Sequence, residues 1–195
     1  MTKSIIFYHH FIENIKAFLD ENGTEAYYNA GEWTHTITKN NGGLSLIDKA
    51  LLEAFPNANI ANEYYRIDNC VYESVNEGYK KDGEFNFHQW RLLAAVEHEN
   101  AWNDWSDELV KLAYIQCPLR VVISYGDYDS EKEEYTNAMH LANKIAEAIN
   151  LQKYVHDDEE FMLIFGPRTN SIKNNRDISR LYKAYIWNGD RFYKI

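Results

Sequence analysis

The sequence of 195 residues contains little cysteine and no long hydrophobic run. Its two cysteines, Cys70 and Cys117, lie in predicted core elements without CxxC spacing, which argues against a disulfide framework and against a zinc site. No apolar stretch approaches the length of a membrane span, and the apolar residues 5–8 are followed at once by two histidines, which argues against a secretory core segment. We therefore expect a cytoplasmic protein that does not enter the membrane.

Basic residues are also scarce, with 20 Lys and Arg against 30 Asp and Glu, which gives a formal net charge of −10. This balance argues against broad nucleic-acid binding, but the charge is uneven. Residues 168–195 hold seven Lys or Arg and two Asp, a net charge of +5, whereas the other 167 residues carry −15. The C-terminal segment is therefore either a solvated face or a local phosphate-facing surface. On the second interpretation, the nucleic-acid-binding residues are Arg168, Lys173, Arg176 and Arg180.

Apolar and aromatic residues, at 45% and 15%, are sufficient for one well-buried core. We predict a single domain over residues 1–195, with an N-terminal helix over 4–21, a core over about 45–166 and a basic C-terminal hairpin segment over 168–195. The predicted order is helix, helix, strand, strand, helix, strand, helix, strand and hairpin. This order is typical of an α/β fold in which helices cover both faces of a mixed sheet.

Hydrophobic spacing predicts the N-terminal elements. Apolar residues recur every three or four positions over 4–21, which predicts an amphipathic helix with five inward residues, Ile5, Tyr8, Ile12, Ile15 and Leu19. Residues 24–43 are predicted to be irregular, with a short strand at 33–37. A capping box at Ser45 and Asp48 predicts a helix over 46–55 that ends before Pro56.

The second half of the sequence predicts a strand-helix-strand crossover. The β-branched run 119–126 is typical of a buried central strand, and residues 161–166 form a similar run. Between them a helix is predicted over 131–149, with Tyr135, Met139, Ala142, Ala146 and Ile149 facing inward. Near the end, the dipeptide at 188–189 is Asn-Gly, which predicts a tight hairpin.

Two carboxylates end an apolar stretch of the chain. Residues 91–100 indicate a buried strand that finishes with Glu97 and Glu99. Side chains alternate along a strand, so Glu97 and Glu99 share one face and His98 points to the other, where a core histidine is expected.

A third carboxylate, Asp68, lies at the centre of an earlier strand-like stretch over 62–72. Burying neighbouring carboxylates is costly unless a cation or a shared proton compensates. If the two strands pair, Asp68, Glu97 and Glu99 converge on a hard divalent cation, which prefers oxygen ligands. A plain surface ion pair between Asp68 and Arg66 is the alternative interpretation.

The order of these acids resembles a known nuclease family. A helix carrying Glu53 is followed by Asp68 on one strand, by Glu97-x-Glu99 at the end of the next, and by a helix and a β-branched strand. Over residues 45–125 this pattern resembles the PD-(D/E)xK nuclease superfamily. The resemblance implies a restriction-endonuclease-like mixed sheet flanked by helices on both faces. It also implies Mg²⁺, with Mn²⁺ as a substitute, held by Asp68 and Glu97 and supported by Glu53.

Two positions depart from the family motif. Glu99 stands where the motif has a lysine that orients the attacking water, and Ile67 stands where it has proline. Some type II restriction endonucleases also carry an acid at the lysine position, and other relatives supply the lysine from a nearby helix. Lys111, on the predicted helix over 104–115, is the candidate here, although its spacing from Glu108 also fits a solvated helix pair. Glu99 would act as the base or as a ligand of a second metal.

The resemblance implies a Mg²⁺-dependent endonuclease that hydrolyses phosphodiester bonds in DNA. Two other interpretations stay open. The first is a non-catalytic protein-binding or immunity-type module on the same fold, whose acidic surface meets a basic protein partner. The second is a metal-dependent nucleotide hydrolase, which would suit an acidic protein. A homodimer is compatible with each interpretation.

Overall fold

The fold is described from a computed structural model, for residues 1–39, 43–74, 90–100, 104–126, 131–168 and 178–195, with side chains 131–135 left out. This part of the chain forms a mixed α/β structure with one seven-stranded sheet and six α-helices. The helices are α1 (Lys3–Asn22), α2 (Glu25–Tyr28), α3 (Ala30–Thr38), α4 (Leu46–Ala54), α5 (Trp105–Ala113) and α6 (Glu131–Ile149). The strands are β1 (Asn59–Tyr64), β2 (Ile67–Ser74), β3 (Trp90–Glu99), β4 (Leu119–Gly126), β5 (Glu160–Pro167), β6 (Lys183–Trp187) and β7 (Phe192–Lys194).

The strands lie side by side in chain order, from β1 to β7. Strands β1 to β3 pair antiparallel, β3 to β5 pair parallel, and β5 to β7 pair antiparallel. The parallel neighbours are joined through α5 and α6, as parallel pairing requires a crossover. The predicted strand-helix-strand crossover is therefore confirmed.

Alternating strand residues build two cores, one on each face of the sheet. On one face Val96 and Ile123 pack in a cluster with residues of α1, α3 and α4. On the other face Ala95 and Val122 pack in a cluster with residues of α5 and α6. Because neighbouring residues point to opposite faces, one apolar strand supplies both cores. The predicted covering of both faces is confirmed.

Helix α1 agrees with its predicted bounds to within one residue, but its buried stripe is different. Phe7, Phe11, Ile15 and Leu19 are buried at four-residue spacing, and the rings of Phe7 and Phe11 stack with centroids 5.8 Å apart. Ile5, Tyr8 and Ile12 are only partly buried beside this stripe. The predicted face is therefore wrong for these three residues, because Phe7 and Phe11 carry large rings without a polar hydroxyl and take the core positions beside them.

The predicted strand at 33–37 is wrong, since these residues belong to α3. The side chain of Asn29 accepts a hydrogen bond from the Glu32 N–H at 3.3 Å and caps the helix. Trp33 and Ile37 are both buried, and a spacing of four residues suits a helix as well as a strand. The short helix α2 also falls in the segment that was predicted to be irregular.

The strand-like stretch over 62–72 is a hairpin rather than one strand. β1 ends at Tyr64, which pairs with Ile67, so Tyr65 and Arg66 form a two-residue turn. Both turn residues have positive φ, 50° and 63°. The turn contains neither Gly nor Asn, the usual signals for this conformation, and for that reason the sequence did not indicate it. Asp68 is consequently the second residue of β2 and not the centre of a strand.

The capping box predicted for α4 and the buried strand predicted over 119–126 are confirmed. In the capping box of α4, Asp48 N–H donates to Ser45 Oγ at 3.0 Å and Ser45 N–H donates to Asp48 Oδ2 at 3.1 Å. All eight residues of β4 are buried. The two cysteines, Cys70 and Cys117, are buried and free. Among the described residues, no helix is both long and apolar enough to cross a membrane.

Helix α6 and the C-terminal hairpin differ from their predictions in detail. Ala142 and Ala146 face inward as predicted, and Ala138 is buried beside them, whereas Met139 and Ile149 are partly buried. The side chain of Tyr135 lies outside the described residues. The hairpin of β6 and β7 is present, but its connection has four residues, 188–191, and Trp187 pairs with Phe192.

Candidate active site

The pairing of β2 with β3 brings two of the predicted acids together. Asn69 lies opposite Val96 in the antiparallel ladder, so the preceding residue Asp68 lies beside Glu97. Opposed residues of an antiparallel pair share one face of the sheet. Asp68 Oδ2 also accepts a hydrogen bond of 2.8 Å from the N–H of His98. This bond holds the Asp68 carboxylate against the end of β3.

The carboxylates line a cavity of about 550 Å³ on the face of the sheet that α5 covers. Anionic and cationic side chains both line it, and the six charged residues are Arg66, Asp68, Glu97, Glu99, Glu108 and Lys111. The cavity lies where β3 ends and α5 passes over the sheet. The carboxyl ends of parallel strands are common ligand sites in α/β folds, and this position is therefore the candidate active site.

Lys111 is the central cation of this cavity. Its Nζ lies 2.6 Å from Glu97 Oε1 and 2.7 Å from Glu108 Oε2, and it donates a 2.7 Å hydrogen bond to the carbonyl oxygen of Arg66. Burial lowers the pKa of Lys111, but the Glu108 and Glu97 carboxylates outweigh burial, so its pKa is raised. The side chain therefore remains an ammonium group at neutral pH. The pair with Glu108 that the helical spacing indicated is confirmed.

Glu97 is the most buried carboxylate of the cavity, at 3% exposure. Burial raises its pKa to about 8, although the Lys111 ammonium acts in the opposite direction. Burial also raises the pKa of Asp68, against the effect of the His98 N–H. Two carboxyl groups with raised pKa values beside a cation are costly to maintain in a core, and such groups cluster at functional sites.

His98 points away from this cavity, as the alternation of side chains predicted. Its Nε2 lies 2.6 Å from the hydroxyl oxygen of Tyr125 on the opposite face of the sheet. Burial lowers the pKa of His98 to about 4, so the imidazole is neutral at physiological pH. His98 is a core histidine, and only its backbone N–H serves the carboxylate of Asp68.

The structure does not bring every predicted site residue into the cavity. Glu99 is half-buried and lines it. Glu53 is exposed, because α4 packs on the sheet through residues such as Leu51 and Ala54 and leaves Glu53 in solvent. It is not among the lining residues of the cavity.

The predicted nucleic-acid-binding residues are only partly described. Arg168 follows β5, and its N–H donates to the carbonyl oxygen of Gly126 at 2.8 Å. Because β3, β4 and β5 are parallel, Arg168 lies at the same edge of the sheet as Glu99. Arg180 is exposed in the 3-10 turn Ile178–Leu181. Lys173 and Arg176 lie outside the described residues.

The cavity offers a Mg²⁺ ion two carboxylate ligands, Asp68 and Glu97, and no third one among the residues that the structure describes. Across the described ranges, no group of three or more His, Cys, Asp or Glu side chains stands close enough to hold a metal ion. The expected convergence of Asp68, Glu97 and Glu99 on one ion is therefore not formed by the side chains as they stand. Mg²⁺, however, commonly binds through one or two carboxylates and takes its other ligands from water and phosphate oxygens. Asp68 and Glu97, opposed on neighbouring strands, match that donor set.

Sequence reasoning missed the contribution of the turn between β1 and β2. Tyr65 and Arg66 line the cavity, and the carbonyl of Arg66 binds Lys111. The proposed ion pair of Arg66 with Asp68 does not occur, since no carboxylate within the described ranges pairs with the Arg66 guanidinium. The sequence would have placed Tyr65 and Arg66 at the cavity only if the turn had been predicted, and the turn lacks the Gly or Asn that normally indicates one.

Comparisons with known proteins leave this site unassigned. No family model matches the chain, and no curated protein matches it. An interpretation of the cavity therefore depends on the chemistry and geometry of its own residues.

Proposed function

We propose that this chain is a metal-dependent nuclease that hydrolyses phosphodiester bonds in DNA, built on a restriction-endonuclease-like core. One observation carries the proposal: Asp68 and Glu97 lie side by side on β2 and β3, with the Lys111 ammonium 2.6 Å from Glu97. The elements α4, β2, β3, α5 and β4 follow one another in the order that the resemblance implies, with β1 as an additional strand. Lys111 comes from the helix after the second acid, as in relatives that supply the lysine from a helix.

Asp68 and Glu97 would hold the Mg²⁺ ion through their carboxylate oxygens. When bound there, the ion would neutralise charge on the phosphate and activate a water molecule as nucleophile. The raised pKa of Glu97 means that a proton competes for the same oxygens. Metal binding should therefore strengthen as the pH rises towards 8.

Lys111 would stabilise the negative charge of the pentacoordinate phosphate in the transition state. Glu108 and the Arg66 carbonyl hold the ammonium at the cavity wall, so its position does not depend on Glu97 alone. A cation fixed before the substrate arrives needs little reorganisation during the reaction. Glu99, half-buried at the same wall, has the chemistry to accept the proton of the attacking water.

One observation favours the alternative function, a non-catalytic protein-binding module. In the part of the chain that the structure describes, Lys111 already pairs with Glu97 and no three-ligand metal cluster is formed. Charges that satisfy one another without a metal suit a structural site, and the acidic body of the chain, at −15, would then meet a basic partner. Metal-dependent cleavage separates the two functions.

The proposal is tested by incubating the protein with DNA in Mg²⁺ and in Mn²⁺. We expect cleavage by the wild type and none by Asp68→Asn or Glu97→Gln. Glu53→Gln is the matched control, because this carboxylate is exposed on α4 and does not line the cavity. A wild type that cleaves no DNA with either metal, or an Asp68→Asn variant with full activity, would contradict the proposal.

A further inference from the structure

The turn between β1 and β2 has an unusual composition for its backbone shape. Tyr65 and Arg66 both adopt positive φ, at 50° and 63°. Glycine, asparagine and aspartate dominate such two-residue turns, since other side chains crowd the backbone in this conformation. Residues held in disfavoured conformations cluster at functional sites. The composition of the turn therefore calls for a functional explanation.

The turn forms part of the wall of the candidate active site. Tyr65 and Arg66 line the same cavity as Asp68 and Glu97, and the Lys111 ammonium binds the Arg66 carbonyl at 2.7 Å. Lys111 thus fixes the turn at a defined position relative to both carboxylates. Asp68 and Glu97 therefore share this cavity with the two side chains of the turn.

Tyr65 presents an aromatic ring at the mouth of this cavity. Its side chain is exposed, at 65%. Its ring meets the ring of Tyr64 edge-on at 4.6 Å, and Tyr64 meets Trp90 at 4.7 Å. These contacts hold the ring of Tyr65 beside the cavity.

Arg66 presents a cation beside that ring. Its side chain is exposed, and in the described part of the chain no carboxylate neutralises its guanidinium. A guanidinium group matches two phosphate oxygens at once, whereas an ammonium group acts as a point charge. An aromatic ring and a guanidinium on adjacent residues are complementary to a base and its phosphate.

We propose that Tyr65 and Arg66 bind one nucleotide of the substrate next to the bond that is cut. Arg66 binds the backbone phosphate, and Tyr65 stacks on the adjoining base. A base can stack on a side chain only when it has left its own duplex, so the preferred substrate class is single-stranded DNA. This inference rests on the proposed nuclease function and specifies its substrate.

Binding is measured with a fluorescein-labelled oligodeoxythymidine in Ca²⁺, and with the matched duplex as competitor. We expect the wild type to prefer the single strand, and Tyr65→Ala to weaken that binding by roughly 5- to 150-fold, the range found for loss of one stacking contact. Tyr65→Trp should retain the affinity, and Arg66→Lys should restore only part of what Arg66→Ala loses. Tyr193→Ala is the control, since this tyrosine is 44% exposed on β7 and away from the cavity.

A stability measurement separates binding from a structural role. The double substitution Tyr65→Asn with Arg66→Gly gives the turn the residues that its backbone favours. We expect a higher melting temperature together with the loss of single-strand binding. If the two turn residues serve only folding, the double substitution should leave single-strand binding unchanged.

The outcomes distinguish this inference from the nuclease proposal. If the wild type cleaves DNA but Tyr65→Ala and Arg66→Ala retain its KM and its single-strand affinity, the inference is wrong and the nuclease function stands. A wild type that prefers duplex DNA also refutes the inference. If the wild type neither binds nor cleaves DNA, both proposals fail. An increased KM with little change in kcat for both variants supports the inference.

Discussion

Replacing Glu97 by Gln should stabilise the metal-free protein, and the gain should grow with pH. Glu97 is 3% exposed, and burial raises its pKa from 4.5 to about 8. A raised pKa in the folded state means that this carboxyl group contributes stability fully below pH 4.5 and loses it as the pH rises through 8. Glutamine keeps the shape of the side chain and cannot ionise. Lys111 keeps its contacts with Glu108 and with the Arg66 carbonyl in this variant.

The size of the effect follows from the shift in pKa. One pKa unit corresponds to about 1.4 kcal/mol, so the rise to about 8 sets an upper limit of roughly 4 kcal/mol between pH 5 and pH 8. The pKa of about 8 already includes the opposing effect of the Lys111 ammonium 2.6 Å away, and we therefore expect a difference of up to roughly 4 kcal/mol over this interval.

The assay is urea denaturation of wild type and Glu97→Gln in a metal chelator, at several pH values from about 5 to 8. The difference in free energy of unfolding should increase with pH in favour of the variant. Glu99→Gln is the matched control on the same strand, and its trend should be smaller because Glu99 is less buried. A difference that is independent of pH, or that favours the wild type increasingly at high pH, would refute the reasoning.

Three further predictions concern other groups. Lys111→Ala should lower kcat for DNA cleavage by about 10²- to 10³-fold and retain Mn²⁺ binding by calorimetry, because the ammonium stabilises the transition state; unchanged kcat would leave Glu99 as the better candidate. Burial lowers the pKa of His98 to about 4, so the neutral imidazole contributes stability above pH 6.5 that is lost as the pH falls towards 4. His98→Leu should therefore abolish about 3 kcal/mol of acid destabilisation in urea melts, and an unchanged pH dependence would contradict the lowered pKa. The logarithm of DNA affinity, measured in Ca²⁺, should fall against the logarithm of salt concentration with a slope of about −3 to −5. That slope should flatten when four basic residues become Ala, namely Arg168, Lys173, Arg176 and Arg180, and an unchanged slope would assign the phosphate contacts to other residues.

Much of the sheet and half of the site follow from side-chain periodicity. Alternation along β3 predicted that Glu97 and Glu99 share one face and that His98 turns to the other, because a buried strand has no freedom in this respect. Lys111 was indicated by the resemblance to nucleases that supply the lysine from a nearby helix, and its Nζ lies 2.6 Å from Glu97 Oε1.

The rest depends on properties that periodicity does not describe. The turn at Tyr65 and Arg66 has no residue that favours positive φ, so tertiary contacts such as the Lys111 hydrogen bond have to hold it. In α3, the spacing of Trp33 and Ile37 fits both a strand and a helix, and packing on α4 decided between them. Glu53 was placed by analogy with a family pattern, whereas its exposure follows from the face of α4 that packs on the sheet.

The central claim is that Asp68 and Glu97 together hold a divalent metal ion. It is tested most directly by anomalous diffraction from a crystal soaked in Mn²⁺ above pH 8, where ionised Glu97 predominates. We predict an anomalous peak within roughly 2.5 Å of an oxygen of each carboxylate. The absence of such a peak at saturating Mn²⁺, with the Lys111 ammonium still against Glu97, would contradict the account.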